Sequence, residues 1–330
     1  MTADGRADRL RKAVLQTARL GKLPALAFAA LAALLGAEHA AAQLAGKWET
    51  RAPMPTARTE VALAAATGRI FVIGGYGRHG DAVEAYDPAS DSWRSRAPLP
   101  RSLHHVAAVS LDGRIYVVGG FGSNGGVTDT VYRYDPASDE WTLLTRMPTA
   151  RGALSAAVVG GRICALGGIG IRRANTGAHE CYDPARNRWE TLARLPTPRD
   201  HHAVAVSGDR LYALGGRIDG RHHRSIAVNE EYDPAAGSWR RRAPLPTVRS
   251  GIAAAALGGR IFVFGGESGR GTHREVESYD PARDRWQTWA AMPTARHGLG
   301  AAVLGGSIYV ISGGPQPGAT FSSANEVFTP

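Results

Sequence analysis

GRIFVIGG, residues 68–75, is a short apolar run stopped by a glycine pair. The chain writes it again as GRIYVVGG from 113, GRICALGG from 161, DRLYALGG from 209 and GRIFVFGG from 259; a sixth version, GSIYVISGG from 306, is one residue longer. Self-similarity at a period of about 40 to 50 residues marks a repeat architecture. Other landmarks travel with the run. A tryptophan recurs at Trp48, Trp93, Trp141, Trp189, Trp239 and Trp286. The first doublet position is Gly74, Gly119, Gly167, Gly215, Gly265 and then Ser312, so the spacing is 26 in all six units (74−48 through 312−286). A YDP triplet starts at Tyr86, Tyr134, Tyr182, Tyr232 and Tyr279, always 7 residues before the next tryptophan (93−86 through 286−279). Only the stretch from the doublet to the tyrosine varies, so insertions gather in one loop per unit.

Each unit parses into four short strands. A small apolar run such as VALAAA (61–66) or LSAAVV (154–159) is strand a, and the quoted run is strand b. After the variable loop comes strand c, for example AVEAY (82–86); a turn of the DPASDS type leads to strand d, which carries the tryptophan. Apolar and β-branched runs bounded by Gly, Pro and Asp read as strands. Sustained helical periodicity occurs only near the N-terminus.

From about Trp48 to Pro330, the glycine doublet, tyrosine and tryptophan at fixed spacings resemble the kelch repeat, one blade of a β-propeller. The resemblance implies an all-β, six-bladed propeller and, as a usual ligand site, the mouth of its central channel. Galactose oxidase, the bacterial sialic acid mutarotases and the eukaryotic kelch adaptor domains resemble the same pattern, so the fold alone does not select an activity. The sixth unit ends at VFTP (327–330) without a fourth strand, while KWETRAPMP (47–55) is a strand d with no blade before it. The N-terminal strand is therefore expected to complete the last blade and remove its open edge.

Residues 1–42 read as a secretory signal: a basic start, the apolar run LPALAFAALAALLGA (23–37), then small residues before Gln43. The propeller is thus expected over 43–330, periplasmic or secreted, with no membrane span in the mature chain. The alternatives are a retained anchor or an overcalled start. The two cysteines, Cys164 and Cys181, fall on strands b and c of one unit. A disulfide and a pair of buried thiols are equally open. Nothing marks the tyrosine–cysteine crosslink that a galactose-oxidase-like copper site needs.

The formal charge is +10, of which residues 1–42 contribute +3 (six Lys/Arg against three acids), leaving +7. A basic balance favours an anionic partner: an acidic sugar, an anionic glycan or a protein. Nucleic acid is not expected for an exported propeller, and the chain is expected to be a monomer. The d-to-a and variable b-to-c loops share one face, where Arg78, Arg172, Arg173, Arg217, Arg221, Arg224, Arg270 and Arg274 outnumber the acids.

Residues repeated in every unit build blades, and those that break the repeat are candidates for function. The PTAR arginine recurs as Arg58, Arg151, Arg199, Arg249 and Arg296, with Leu103 in unit two. It reads as mainly structural, with the alternative of a guanidinium ring near the mouth that binds an anion; Arg151 and Arg249 enter the candidate set on that ground. The next two columns vary and supply Glu60, His104, His105, Asp200, His201 and His297; the position after the doublet supplies Tyr76, Phe121, Arg217 and Glu267. In kelch domains ligand contacts often come from these columns. The histidines carry no ligand motif, so no metal or cofactor is assigned. His202 lies in a column of Val61, Val106, Leu154, Ile252 and Leu299 and is expected to be packed and hydrogen-bonded. The first functional expectation is a non-catalytic binding module on the loop-rich face. The alternative is a sugar-processing enzyme of the sialic acid mutarotase type, with Glu60, Glu267, His105 or His201 as acid/base and Arg217 or the arginine ring holding a carboxylate. No catalytic residue is assigned.

Overall fold

The computed structural model describes residues 45–330. The leader expected at 1–42, and cleavage before Gln43, lie outside the described residues. Six antiparallel four-stranded sheets are formed, each in the order a-b-c-d. The inner strands are Ala62–Ala66, Ala107–Leu111, Ser155–Val159, Ala203–Ser207, Ala253–Leu257 and Gly300–Leu304. Each touches the inner strand of the next blade, and the last touches the first, so the ring is closed. Sequences such as ALAAA and AAAAL suit this place because strands converging on an axis leave room only for small side chains.

Closure is by the N-terminal strand. Lys47–Thr50 pairs antiparallel with Asn325–Thr329, Trp48 standing opposite Phe328. The tryptophan column has one task throughout: its indole N–H crosses to a backbone carbonyl of the preceding blade. Trp93 reaches Ala52 (2.8 Å), Trp141 Ala97 (2.9 Å), Trp189 Thr145 (3.0 Å), Trp239 Ala193 (2.8 Å), Trp286 Ala243 (2.9 Å) and Trp48 Ala290 (2.9 Å). The strand that closes the ring therefore uses the same staple as the five internal ones.

The glycine doublet is a backbone requirement. Gly74 and Gly75 have φ of +61° and +118°, and a Cβ on Gly74 would stand 2.5 Å from the Leu103 carbonyl oxygen. Ser312 adopts the same left-handed turn (φ 65°), and its hydroxyl donates to the Arg58 carbonyl. Cys164 and Cys181 are direct cross-strand partners and form a disulfide, which resolves the open choice between bridge and free thiols.

The recurrent arginines are structural. Arg58, Arg151, Arg199, Arg249 and Arg296 are fully buried. They pair with strand-c glutamates: Arg58–Glu84 at 2.6 Å, Arg151–Glu180 at 2.5 Å, Arg199–Glu230 at 2.6 Å, Arg249–Glu277 at 2.9 Å and Arg296–Glu326 at 2.5 Å. The other carboxylate oxygen of each glutamate accepts a threonine hydroxyl, from Thr56, Thr149, Thr197, Thr247 and Thr294. The expectation of an anion-binding guanidinium ring, and of Arg151 and Arg249 as ligand contacts, is corrected: these groups are sealed and already paired. His202 also differs from expectation. It is packed and buried, but neither ring nitrogen has a hydrogen-bond partner.

Candidate functional site at the channel mouth

On the loop-rich face, the residue two places after each PTAR column adopts a left-handed backbone: Glu60, His105, Ala153, His201, Gly251 and Gly298, with φ between 50° and 61°. This conformation turns each amide toward the neighbouring blade. Glu60 N–H donates to the Gly298 carbonyl (2.7 Å), Gly298 to Gly251 (2.9 Å), Gly251 to His201 (2.8 Å), His201 to Ala153 (3.1 Å), Ala153 to His105 (3.0 Å) and His105 back to Glu60 (3.1 Å). Six residues, each donating its N–H and accepting through its carbonyl, thus form a closed hydrogen-bonded collar around the channel. The collar fixes the side chains of Glu60, His105 and His201 above a cavity of about 150 Å³ lined by the collar and the inner strands.

Around it lies a polar cluster. Arg217 donates through Nε to Asp200 Oδ1 (3.0 Å), through Nη1 to Glu267 Oε1 (2.5 Å) and through Nη2 to His201 Nε2 (2.8 Å). Accepting at Nε2 leaves the His201 proton on Nδ1, which faces Asp200 Oδ1 at 2.5 Å. Asp200 Oδ2 also accepts from Asn175 (2.5 Å) and the Gly220 amide (3.1 Å). Its carboxyl is held far below the usual range: burial alone would raise it, but the hydrogen bond from His201 and the Arg217 guanidinium outweigh burial. Glu60 moves the same way, to about 2; burial would raise it, and the facing His105, His201, His297 and Arg217 prevail. His105 is pushed down to about 3, chiefly by burial, and burial lowers His104 too. At neutral pH Glu60 is therefore an anion and His105 a neutral imidazole.

Outward from the cluster the rings step along the face. Phe121 stacks on His104 (5.5 Å between centroids), His104 meets Tyr76 edge-on (5.1 Å), and Tyr76 stacks on Phe321 (6.3 Å). Tyr76 and Phe321 are among the few large hydrophobic residues left exposed. With Arg78, Ser102, His104 and Ser123 they line a groove of about 370 Å³. Arg78, Arg172, Arg173, Arg221 and Arg270 are exposed, with no carboxylate in ion-pair range among the described residues; Arg224 is paired with Asp219.

The sequence candidates thus separate. Glu60, His105, Asp200, His201, Arg217, Glu267 and His297 converge at the mouth; His104, Phe121 and Tyr76 lie beside it; Arg151 and Arg249 belong to the blade interiors. Arg217 is already held by two carboxylates. The groove wall Phe321 and the Asp200 partner Asn175 escaped the repeat logic, because both sit in variable loops that the alignment of units cannot register.

The sequence matches the family described as the KLHDC2/KLHL20/DRC7 Kelch-repeats domain over residues 90–244 and again over 194–328, and the Kelch motif over 57–100. The chain belongs to the kelch-repeat family. Comparison with curated proteins finds no match. Among many solved chains with this fold, the kelch propeller is similar to the structure of YjhT, at 17% identity and a TM-score of 0.74, over 84% of this chain and 96% of that one. At that identity the likeness concerns the fold alone. Kelch propellers act generally as interaction modules, and no helix among the described residues is long and apolar enough to cross a membrane.

Proposed function

We propose that this kelch propeller is a recognition module that binds an acidic saccharide on its loop-rich face. One observation carries the reading: the groove in which two exposed, mutually stacked rings, Tyr76 and Phe321, stand beside the unpaired Arg78 and the Ser102 and Ser123 hydroxyls. An apolar wall with a few convergent polar groups is the ordinary make-up of a ligand site. Rings take the apolar face of a sugar, and the planar guanidinium takes a carboxylate bidentately. The free arginines around the mouth extend the attraction to a longer anionic chain. Export fits this reading, since a disulfide persists in oxidising compartments and residues 1–42 have the layout of a leader.

An isomerase of the mutarotase type receives less support. Such an enzyme needs a cation free for the sugar carboxylate, and Arg217 is already held by Asp200 and Glu267 while the recurrent arginines are sealed inside the blades. The test is titration of the full chain with acidic and neutral oligosaccharides at two ionic strengths. Acidic ligands should bind, should weaken with salt, and should lose most of their affinity in Arg78→Ala and Tyr76→Ala. Equal binding of neutral ligands, indifferent to salt and to both substitutions, overturns the reading.

A further inference from the structure

The geometry points to a metal centre at the collar: we infer that Glu60, His105 and His201 bind one borderline first-row divalent cation, of the Zn²⁺ or Fe²⁺ class, at the mouth of the channel. Their ligand atoms all lie within 4.8 Å of one another. Glu60 Oε2 is 3.4 Å from His105 Nε2 and 3.9 Å from His201 Nε2, and neither contact is a hydrogen bond. Atoms bound to a common tetrahedral ion at about 2.0–2.1 Å stand roughly 3.3 Å apart. The carboxylate therefore faces two imidazoles at the separation of co-ligands. Two imidazoles and a carboxylate, with the cavity open beside them, are a donor set for zinc or non-haem iron with a free coordination position.

The outer contacts agree. A ligating histidine ordinarily engages its second ring nitrogen with a carboxylate, a carbonyl or a comparable group, which aims the other at the metal. His201 Nδ1 is bound to Asp200 Oδ1 at 2.5 Å and His105 Nδ1 to His104 Nδ1 at 2.5 Å, so both Nε2 atoms turn toward Glu60. On the far side, His297 has Nδ1 against the Gly314 carbonyl (3.1 Å) and Nε2 3.8 Å from both Glu60 Oε1 and Glu267 Oε2. Glu267 is 2% exposed, yet its Oε2 has no hydrogen-bond partner. Buried carboxylate oxygens are ordinarily satisfied or coordinate metals, and this unpartnered atom lies 3.8 Å from His297 Nε2, which itself faces Glu60. Loading requires that Arg217 Nη2 release His201 Nε2; the Nε and Nη1 bonds to Asp200 and Glu267 do not involve that nitrogen.

The experiment strips the full chain with a chelator and titrates it with Zn²⁺ alone by calorimetry, and with Co²⁺ alone by visible absorption. One equivalent per chain is expected, with the intense absorption of low-coordinate Co²⁺ and a rise in melting temperature on adding Zn²⁺. Glu60→Gln and His201→Gln should each weaken binding by more than tenfold, and Asp200→Asn, acting through His201, by about 10- to 100-fold. Replacing the loop pair His222 and His223 by alanine should leave affinity unchanged. Melting curves in chelator show whether each variant is folded, and the Co²⁺ spectrum of the unmodified chain is a readout independent of them. Absence of a bound equivalent, or affinity that survives Glu60→Gln but falls with His222 and His223, overturns the inference.

Discussion

If the N-terminal strand closes the ring, Trp48→Ala should destabilise the whole propeller. The magnitude follows from its contacts. The Trp48 indole lies 5.0 Å from the Phe328 ring and 6.0 Å from Phe264, and its N–H bonds the Ala290 carbonyl at 2.9 Å. Emptying a fully buried tryptophan site costs roughly 3–5 kcal/mol. Trp48 is only partly buried, which brings packing to about 2 kcal/mol, and the lost staple adds about 1 kcal/mol. The expected total is about 3 kcal/mol, or a fall in Tm of about 6 °C at about 2 °C per kcal/mol for a domain of this size. Deleting the strand through Thr50 should cost more. It removes four ladder positions and uncovers the edge of Asn325–Thr329, where Val327 and Phe328 are buried. Urea and thermal unfolding of the parent and both variants, with Trp141→Ala as an internal-blade control, are the assay. A truncated chain that melts like the parent would refute the closure argument. So would a Trp48→Ala change near zero beside a large Trp141→Ala loss.

Other outcomes follow from the same physics. Glu230→Gln should cost about 3–5 kcal/mol in urea unfolding, because it leaves Arg199 charged and buried without its counter-ion; a loss below about 1 kcal/mol would mean the pair is hydrated. His202→Leu should stabilise the fold by about 1–3 kcal/mol, since a buried ring without partners is replaced by the apolar residue type of its column. It should also flatten the acid limb. Burial holds His202 at about 3 in the folded chain against an ordinary 6.5, so its share of stability is complete above 6.5 and is lost as pH falls toward 3. Unfolding at pH 7 and pH 4 measures both effects. Reducing the disulfide, or Cys164→Ser with Cys181→Ser, should cost about 3 kcal/mol for a sequence separation of 17. Mass spectrometry of the alkylated, unreduced chain should show no free thiol.

The repeat made the architecture legible. Fixed spacings among the doublet, the tyrosine and the tryptophan dictate strand lengths and turns, because those residues meet local backbone demands that recur in each unit. The split of the last blade was legible too, since one strand d stood without a blade and one blade without a strand d. The buried ion pairs had a sequence signal that spacing alone did not expose. In unit two the arginine column becomes Leu103, and the strand-c glutamate column becomes Tyr132, while Arg101 stands where the other units have threonine. The three columns change together because a buried guanidinium without its carboxylate is too costly to keep. The channel-mouth cluster is different in kind. Glu60, His105, His201, Arg217 and Glu267 come from blades 1, 2, 4 and 5, and each was only an irregularity in its own unit. That they meet depends on the closed amide collar, which carries Glu60, His105 and His201 on left-handed turns, and on Arg217 and Glu267 reaching in from the loops after the doublet. The turn recurs in every unit, but the collar arises only when six blades close into a ring, so the sequence named the residues and only the tertiary structure brought them within reach of one another.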